Sequence, residues 1–85
     1  MYKVIIKKRV LKSLDKIPVI YLSSIKEAVN NLANNPRPFG TVKLSGFENT
    51  YRIREGIYRI VYTIEDEILT VEVVKIRHRG SVYNF

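Results

Sequence analysis

The chain has 85 residues, no cysteine and a single histidine, with 15 Lys+Arg against 8 Asp+Glu for a formal charge of +7. These counts exclude a disulfide framework and a Cys- or His-rich metal centre, so one small hydrophobic core must carry the fold. So basic a balance favours nucleic acid or an acidic protein as partner, although solubility alone also tolerates it. The start, "MYKVIIKKRV", has apolar runs broken by lysines. It lacks a signal-peptide core, and no stretch approaches the roughly 20 apolar residues of a membrane span. We expect one soluble, cytoplasmic domain over residues 1–85, with no membrane association.

Tyr2 to Lys7 is β-branched and predicts a strand. Val10, Leu11, Leu14 and Ile17 then fall at helical spacing, with Lys8, Lys12 and Lys16 on another face. Pro18 separates this helix from a second, predicted from Val19 to Asn34, whose core stripe is Leu22, Ile25, Ala28, Val29 and Leu32. "NNPRPFG" stops it. "TVKLSG" reads as a short strand or an extended lead-in. Three strands of a meander follow, at Thr50–Arg54, Ile57–Ile64 and Ile68–Arg77, with turns at Glu55-Gly56 and Glu65-Asp66-Glu67. The order β-α-α-β-β-β predicts an α+β domain, a helical hairpin on one face of a mostly antiparallel sheet.

The stretch "YRIREGIYRIVY" sorts its residues by parity. Ile53, Tyr58, Ile60, Tyr62, Leu69, Val71 and Val73 are expected to face the helices, and Arg52, Arg54 and Arg59 the other side. A two-residue Glu55-Gly56 loop pairs Arg52 directly with Arg59, and a longer loop shifts that register. Like charges so placed are destabilising. One reading is a solvated basic face, softened by Glu55 or by Glu72 on the same side. The other is a phosphate cradle, for which guanidinium is suited by its permanent charge and paired donors. The tail "KIRHRGSVY" adds Lys75, Arg77, His78, Arg79 and Tyr83. Phosphodiester chemistry needs cations, a proton carrier and often a ring to stack on a base, and this set contains all three. Taken singly, His78 also reads as a surface residue and Tyr83 as a core-closing terminal tyrosine.

These two stretches, with "KLSG" at Lys43–Gly46 and the strand-helix-helix-strand order, resemble the RelE branch of the RelE/ParE toxin superfamily over nearly the whole chain. The resemblance implies a small RelE-like toxin of a type II toxin–antitoxin system. It implies cleavage of mRNA in the ribosomal A site without metal or cofactor, and neutralisation by a cognate RelB-like antitoxin. Arg59 matches the family's phosphate-stabilising arginine, Arg79 the arginine near the end of the last strand, and Tyr83 the C-terminal tyrosine. Arg52 and Arg54 stand where the best-known member carries two lysines, one of them its proposed general base. Arginine cannot readily accept a proton. His78, whose type titrates near pH 6.5, is the first substitute, with Glu48 and Lys43 as further options. Arg54, Lys43, Arg77 and Lys75 are expected to bind substrate phosphate. The basic helix face of Lys8, Lys12 and Lys16 rests on ribosomal RNA or is simply solvated.

Two rivals share this fold. One is a ParE-like inhibitor of DNA gyrase, disfavoured by the combination of Arg59, Arg79 and Tyr83. The other is an inactive toxin-fold protein that only binds its antitoxin.

Overall fold

Five strands in the order β1-β5-β4-β3-β2 form the sheet that organises residues 1–80, the part of the chain that the computed structural model describes. The chain enters as β1 (Lys3–Ile6), turns through α1 (Lys8–Ser13) and a 3₁₀ turn (Leu14–Lys16), and returns along α2 (Val19–Asn31). It then builds β2 (Val42–Lys43), β3 (Thr50–Glu55), β4 (Tyr58–Glu65) and β5 (Thr70–His78). β2, β3, β4 and β5 pair antiparallel, and β1 pairs parallel with β5. The result is the expected α+β fold, and "TVKLSG" supplies the short edge strand β2. No described helix is long and apolar enough to cross a membrane.

One face of the sheet, here the inner face, carries the helices. Val10, Ile25, Val29 and Leu32 pack against Ile53, Tyr58, Ile60, Tyr62, Ile64, Val71 and Val73 in one buried cluster. Leu22 and Ala28 flank it, half-buried. Tyr62 is wholly buried, and its hydroxyl donates to the Pro36 carbonyl at 2.7 Å, the partner a buried phenol requires. The first helix is shorter than its periodicity predicts. It tightens into a 3₁₀ turn at Leu14, and Leu11 stays about half exposed. α2 ends at Asn31, three residues early, although Leu32 remains helical in backbone and fully buried.

Three strand details differ from the simple pattern. The hairpin turn falls on Gly56 and Ile57, because Glu55 already pairs with Tyr58. Gly56 has φ +59°, as the first central position of a type II′ turn needs. This moves every pairing by two residues, so faces are kept and partners change: Arg54 lies opposite Arg59, and Arg52 opposite Val61. Leu69 does not face the helices. A 3₁₀ turn (Asp66–Ile68) puts it at φ +47°, outside the strand and exposed.

The third detail is a bulge. Tyr62 pairs with Val73 while Val61 pairs with Lys75, leaving Val74 as the extra residue on β5. Unbroken alternation from Val71 and Val73 would drive Lys75 and Arg77 into the core. The bulge returns Ile76 to the inner face opposite Ile60 and turns Lys75 and Arg77 outward.

Candidate functional site

Among the described residues no helix covers the outer face, and its side chains fall in rows across three strands. Arg54, Arg59 and Arg77 form the first row, in register on β3, β4 and β5. Arg52, Val61 and Lys75 form the second, and Thr50, Thr63 and Glu72 the third. Strands lie about 4.8 Å apart, so the outer arginines of the first row stem from backbones roughly 10 Å apart. Successive rows are separated by two residues, about 6.7 Å. Two phosphates of a nucleic-acid strand, or one phosphate with its reacting oxygens, fit within that lattice of cations.

The charges act on one another. The Arg52 guanidinium is pushed below its ordinary value, first by partial burial and then by repulsion from Arg54 and Arg59. It stays charged all the same, as guanidinium does in proteins. Arg54 is exposed, while Arg52, Arg59, Lys75 and Arg77 are half-buried. Glu72 is on this face, as parity predicts, but in the third row. Glu55 is opposite Tyr58 and so belongs to the inner side.

The other candidates separate. His78 pairs with Tyr58, on the inner side of the sheet from Arg59 and Arg77. Its ring meets the Tyr58 ring edge-on at 5.5 Å, and Tyr21 of α2 packs on Tyr58 at 5.7 Å. Its Nδ1 accepts the Gly80 N–H at 2.9 Å. This arrangement removes His78 from the arginine rows, because the outward-facing residue at that strand end is Arg77. Lys43 is likewise displaced. It pairs with Tyr51, whose parity is opposite to that of Arg52. Glu48 is exposed in the loop between β2 and β3. Arg79 stands just past β5, where its backbone N–H donates to the Ile57 carbonyl at 2.7 Å and ties the chain beside the hairpin turn. Tyr83 lies outside the described residues.

Two features near the rows were not evident from the sequence. α1 brings Arg9 and Ser13 beside Val74, Lys75, Ile76 and Arg77, around an open cavity of about 320 Å³. Arg9 thus extends the cationic surface past the edge of β5. The second is apolar. Val61 is 2% exposed on the otherwise charged face, and Leu44, Phe47, Thr50, Val74 and Lys75 enclose a cavity of about 190 Å³ above it.

Opposite this end, Arg37 is held by Asp66 at 2.8 and 3.2 Å through both carboxylate oxygens. Asp66 also accepts the Tyr2 hydroxyl at 2.6 Å. Arg37 lies over the Tyr51 ring at 5.2 Å, and Tyr51 stacks on Tyr62 at 6.2 Å. This pair closes the loop after α2 onto the sheet.

Comparison with known proteins gives a consistent result. A family model described as "ParE toxin of type II toxin-antitoxin system, parDE" matches residues 4–83. A Methanocaldococcus jannaschii protein that bears the toxin name RelE1 is 36% identical, over 96% of this chain and 94% of that protein. Toxin RelG of Mycobacterium tuberculosis is 32% identical, over 85% of this chain and 84% of its own length. The archaeal RelE–RelB complex from Pyrococcus horikoshii contains a chain that superposes with a TM-score of 0.83 at 30% identity, covering 95% of this chain and 98% of that one.

Proposed function

The chain belongs to the RelE-type toxins of the RelE/ParE superfamily, and on that premise we propose that it cleaves mRNA on the ribosome and is neutralised by a RelB-like antitoxin. The observation that carries this reading is the row Arg54–Arg59–Arg77 with Arg52 and Lys75 behind it, on the face free of helices. Like charges gathered in register weaken the sheet, and a phosphodiester is the ligand that reverses their sign of interaction.

In the proposed reaction the ribose 2′-oxygen attacks the adjacent phosphorus and the P–O5′ bond breaks. The 2′-hydroxyl loses its proton and the leaving O5′ gains one, giving a 2′,3′-cyclic phosphate and a 5′-hydroxyl. No cofactor enters this balance. Arg59 and Arg77 flank the phosphate, and Arg52 and Arg54 hold its non-bridging oxygens as charge develops there. The family resemblance assigns Arg79 and Tyr83 to the same reaction. With arginine at positions 52 and 54 and His78 on the inner side, catalysis leans on this charge stabilisation. The ribosome is the second partner, and the cytoplasm is where the two meet.

The superposed RelE–RelB complex supports an antitoxin as partner. The +7 charge calls for acidic segments in it. Induction of the chain alone, with mapping of mRNA 5′ ends, tests the reading. New 5′-hydroxyl ends within translated codons are expected. The family model's ParE description supplies the rival, a block of DNA gyrase. Intact mRNA with DNA damage would establish that rival, and unhindered growth would leave an inactive binding protein.

A further inference from the structure

Val61 is an anomaly on the outer face. Its neighbours in register are Arg52 and Lys75, and Arg59 is two residues before it on the same side of β4. Yet it is 2% exposed. The loop after β2 accounts for this by folding over it. Leu44 N–H donates to the Thr50 carbonyl at 2.9 Å, and Phe47 N–H to the Leu44 carbonyl at 3.4 Å. Gly46 takes φ +82°, the value a type II turn requires at its third residue, where a side chain would be strained. Asn49, at φ +55°, turns the chain back, and its carbonyl accepts the Ile64 N–H at 3.0 Å. The loop is therefore tied at both ends, and it presents Phe47 with 46% of its surface still open.

What remains between loop and sheet is a socket walled by Leu44, Phe47, Val61 and Val74, with Thr50 and Lys75 at its rim. Its volume, about 190 Å³, is below the roughly 300–1,000 Å³ of pockets for drug-sized ligands. It suits one flat ring. A half-open aromatic wall set among cations is the arrangement by which proteins hold single-stranded nucleic acid, phosphates on charge and bases on π-faces.

We propose that this socket takes one nucleobase of the RNA strand whose phosphates lie on the arginine rows, with Phe47 as its stacking wall. The inference rests on the RNA reading above and adds to it a base subsite in the described part of the chain. It makes Phe47 a positioning residue: a base seated there fixes which phosphate falls on the Arg54–Arg59–Arg77 row.

The chain has no tryptophan, so Phe47→Trp introduces a single fluorophore at the socket wall. The probes are a single-stranded RNA oligonucleotide and an abasic strand of equal length, at one fixed salt concentration. The RNA is expected to quench the indole and the abasic strand is not. Phe47→Leu keeps the apolar fill of the socket while removing the ring. It should melt with the parent yet bind the RNA roughly five- to 100-fold more weakly, with unchanged affinity for the abasic strand. RNA binding that depends on Arg59 but is equal in the parent and Phe47→Leu would overturn the socket and leave the RNA reading standing. Failure of the parent chain to bind either strand would overturn the socket, and cut mRNA on induction would still leave the RNA reading standing.

Discussion

At one end of the sheet Arg37 is gripped by both oxygens of Asp66 and lies over Tyr51; at the other, Arg54, Arg59 and Arg77 stand in register with one another. The first arrangement joins three parts of the chain far apart in sequence: the start of β1 through Tyr2, the loop after α2, and the β4–β5 turn. The second gathers like charge where strand pairing brings it closest. A guanidinium beside a carboxylate contributes to folding, whereas guanidinium beside guanidinium opposes it. The same residue type thus marks a structural end and the proposed working end of one sheet. Like charges set in register across a sheet break a local rule of strand pairing, and such breaks are expected at sites that serve a ligand.

Breaking the working end should give the largest effect. Arg59→Ala is expected to lower mRNA cleavage by on the order of 10²–10³-fold, the loss typical of one preorganised charge-stabilising group. The measurement is the rate of 5′-end appearance on a translated message. Cleavage at the parent rate would remove Arg59 from the site.

The structural end is broken next. Tyr62→Phe removes the buried hydroxyl that satisfies the Pro36 carbonyl. It should cost about 1–3 kcal/mol, and each kcal/mol lowers the melting temperature of a chain this size by roughly 4–8 °C. Cleavage by the folded fraction should persist. An unchanged melting temperature would show that this bond does not hold the loop.

The smallest effect sharpens the comparison through pH. The Asp66 carboxyl is held down to about 2 from its ordinary 3.8, by hydrogen bonds from Arg37 first and Tyr2 second. A depressed carboxylate contributes stability that is complete above the unfolded value, 3.8, and is lost as pH falls through the folded one, about 2. The Arg37 and Asp66 side chains are 43% and 53% exposed, so solvent screens the pair and the shift in melting temperature should be small. Asp66→Asn should melt slightly below the parent at neutral pH and together with it near pH 2. A gap that persists in acid would assign the effect to packing instead of charge.

Much of this contrast can be read from the residues alone. Period-2 patterning through β3 and β4 put Ile53, Tyr58, Ile60 and Tyr62 on one side and the arginines on the other, and a two-residue shift in pairing leaves such parity intact. The shift itself was less legible, because Glu55-Gly56 and Gly56-Ile57 both make short loops with the glycine at positive φ, and only the pairing of Glu55 with Tyr58 decides. The bulge had a signal. In "VEVVKIR" the apolar positions run 71, 73, then 74, 76, a change of phase that one extra residue explains. Missing it makes His78 and Arg77 appear to exchange sides. The Arg37–Asp66 pair is 29 residues apart in sequence, and the covering of Val61 by Phe47 depends on a loop with two left-handed residues. Such contacts are set by tertiary geometry, and no local periodicity announces them.

The most direct test crosses the two ends in one experiment, with growth arrest and thermal unfolding measured on Arg59→Ala and Arg37→Ala. Removing Arg59 should abolish arrest while the melting temperature stays near the parent's. Removing Arg37 should lower the melting temperature and leave arrest in place at temperatures where the chain is folded. If Arg59→Ala still arrests growth, the arginine row does not hold the phosphate, and if it loses arrest only because it melts, the row serves the fold instead.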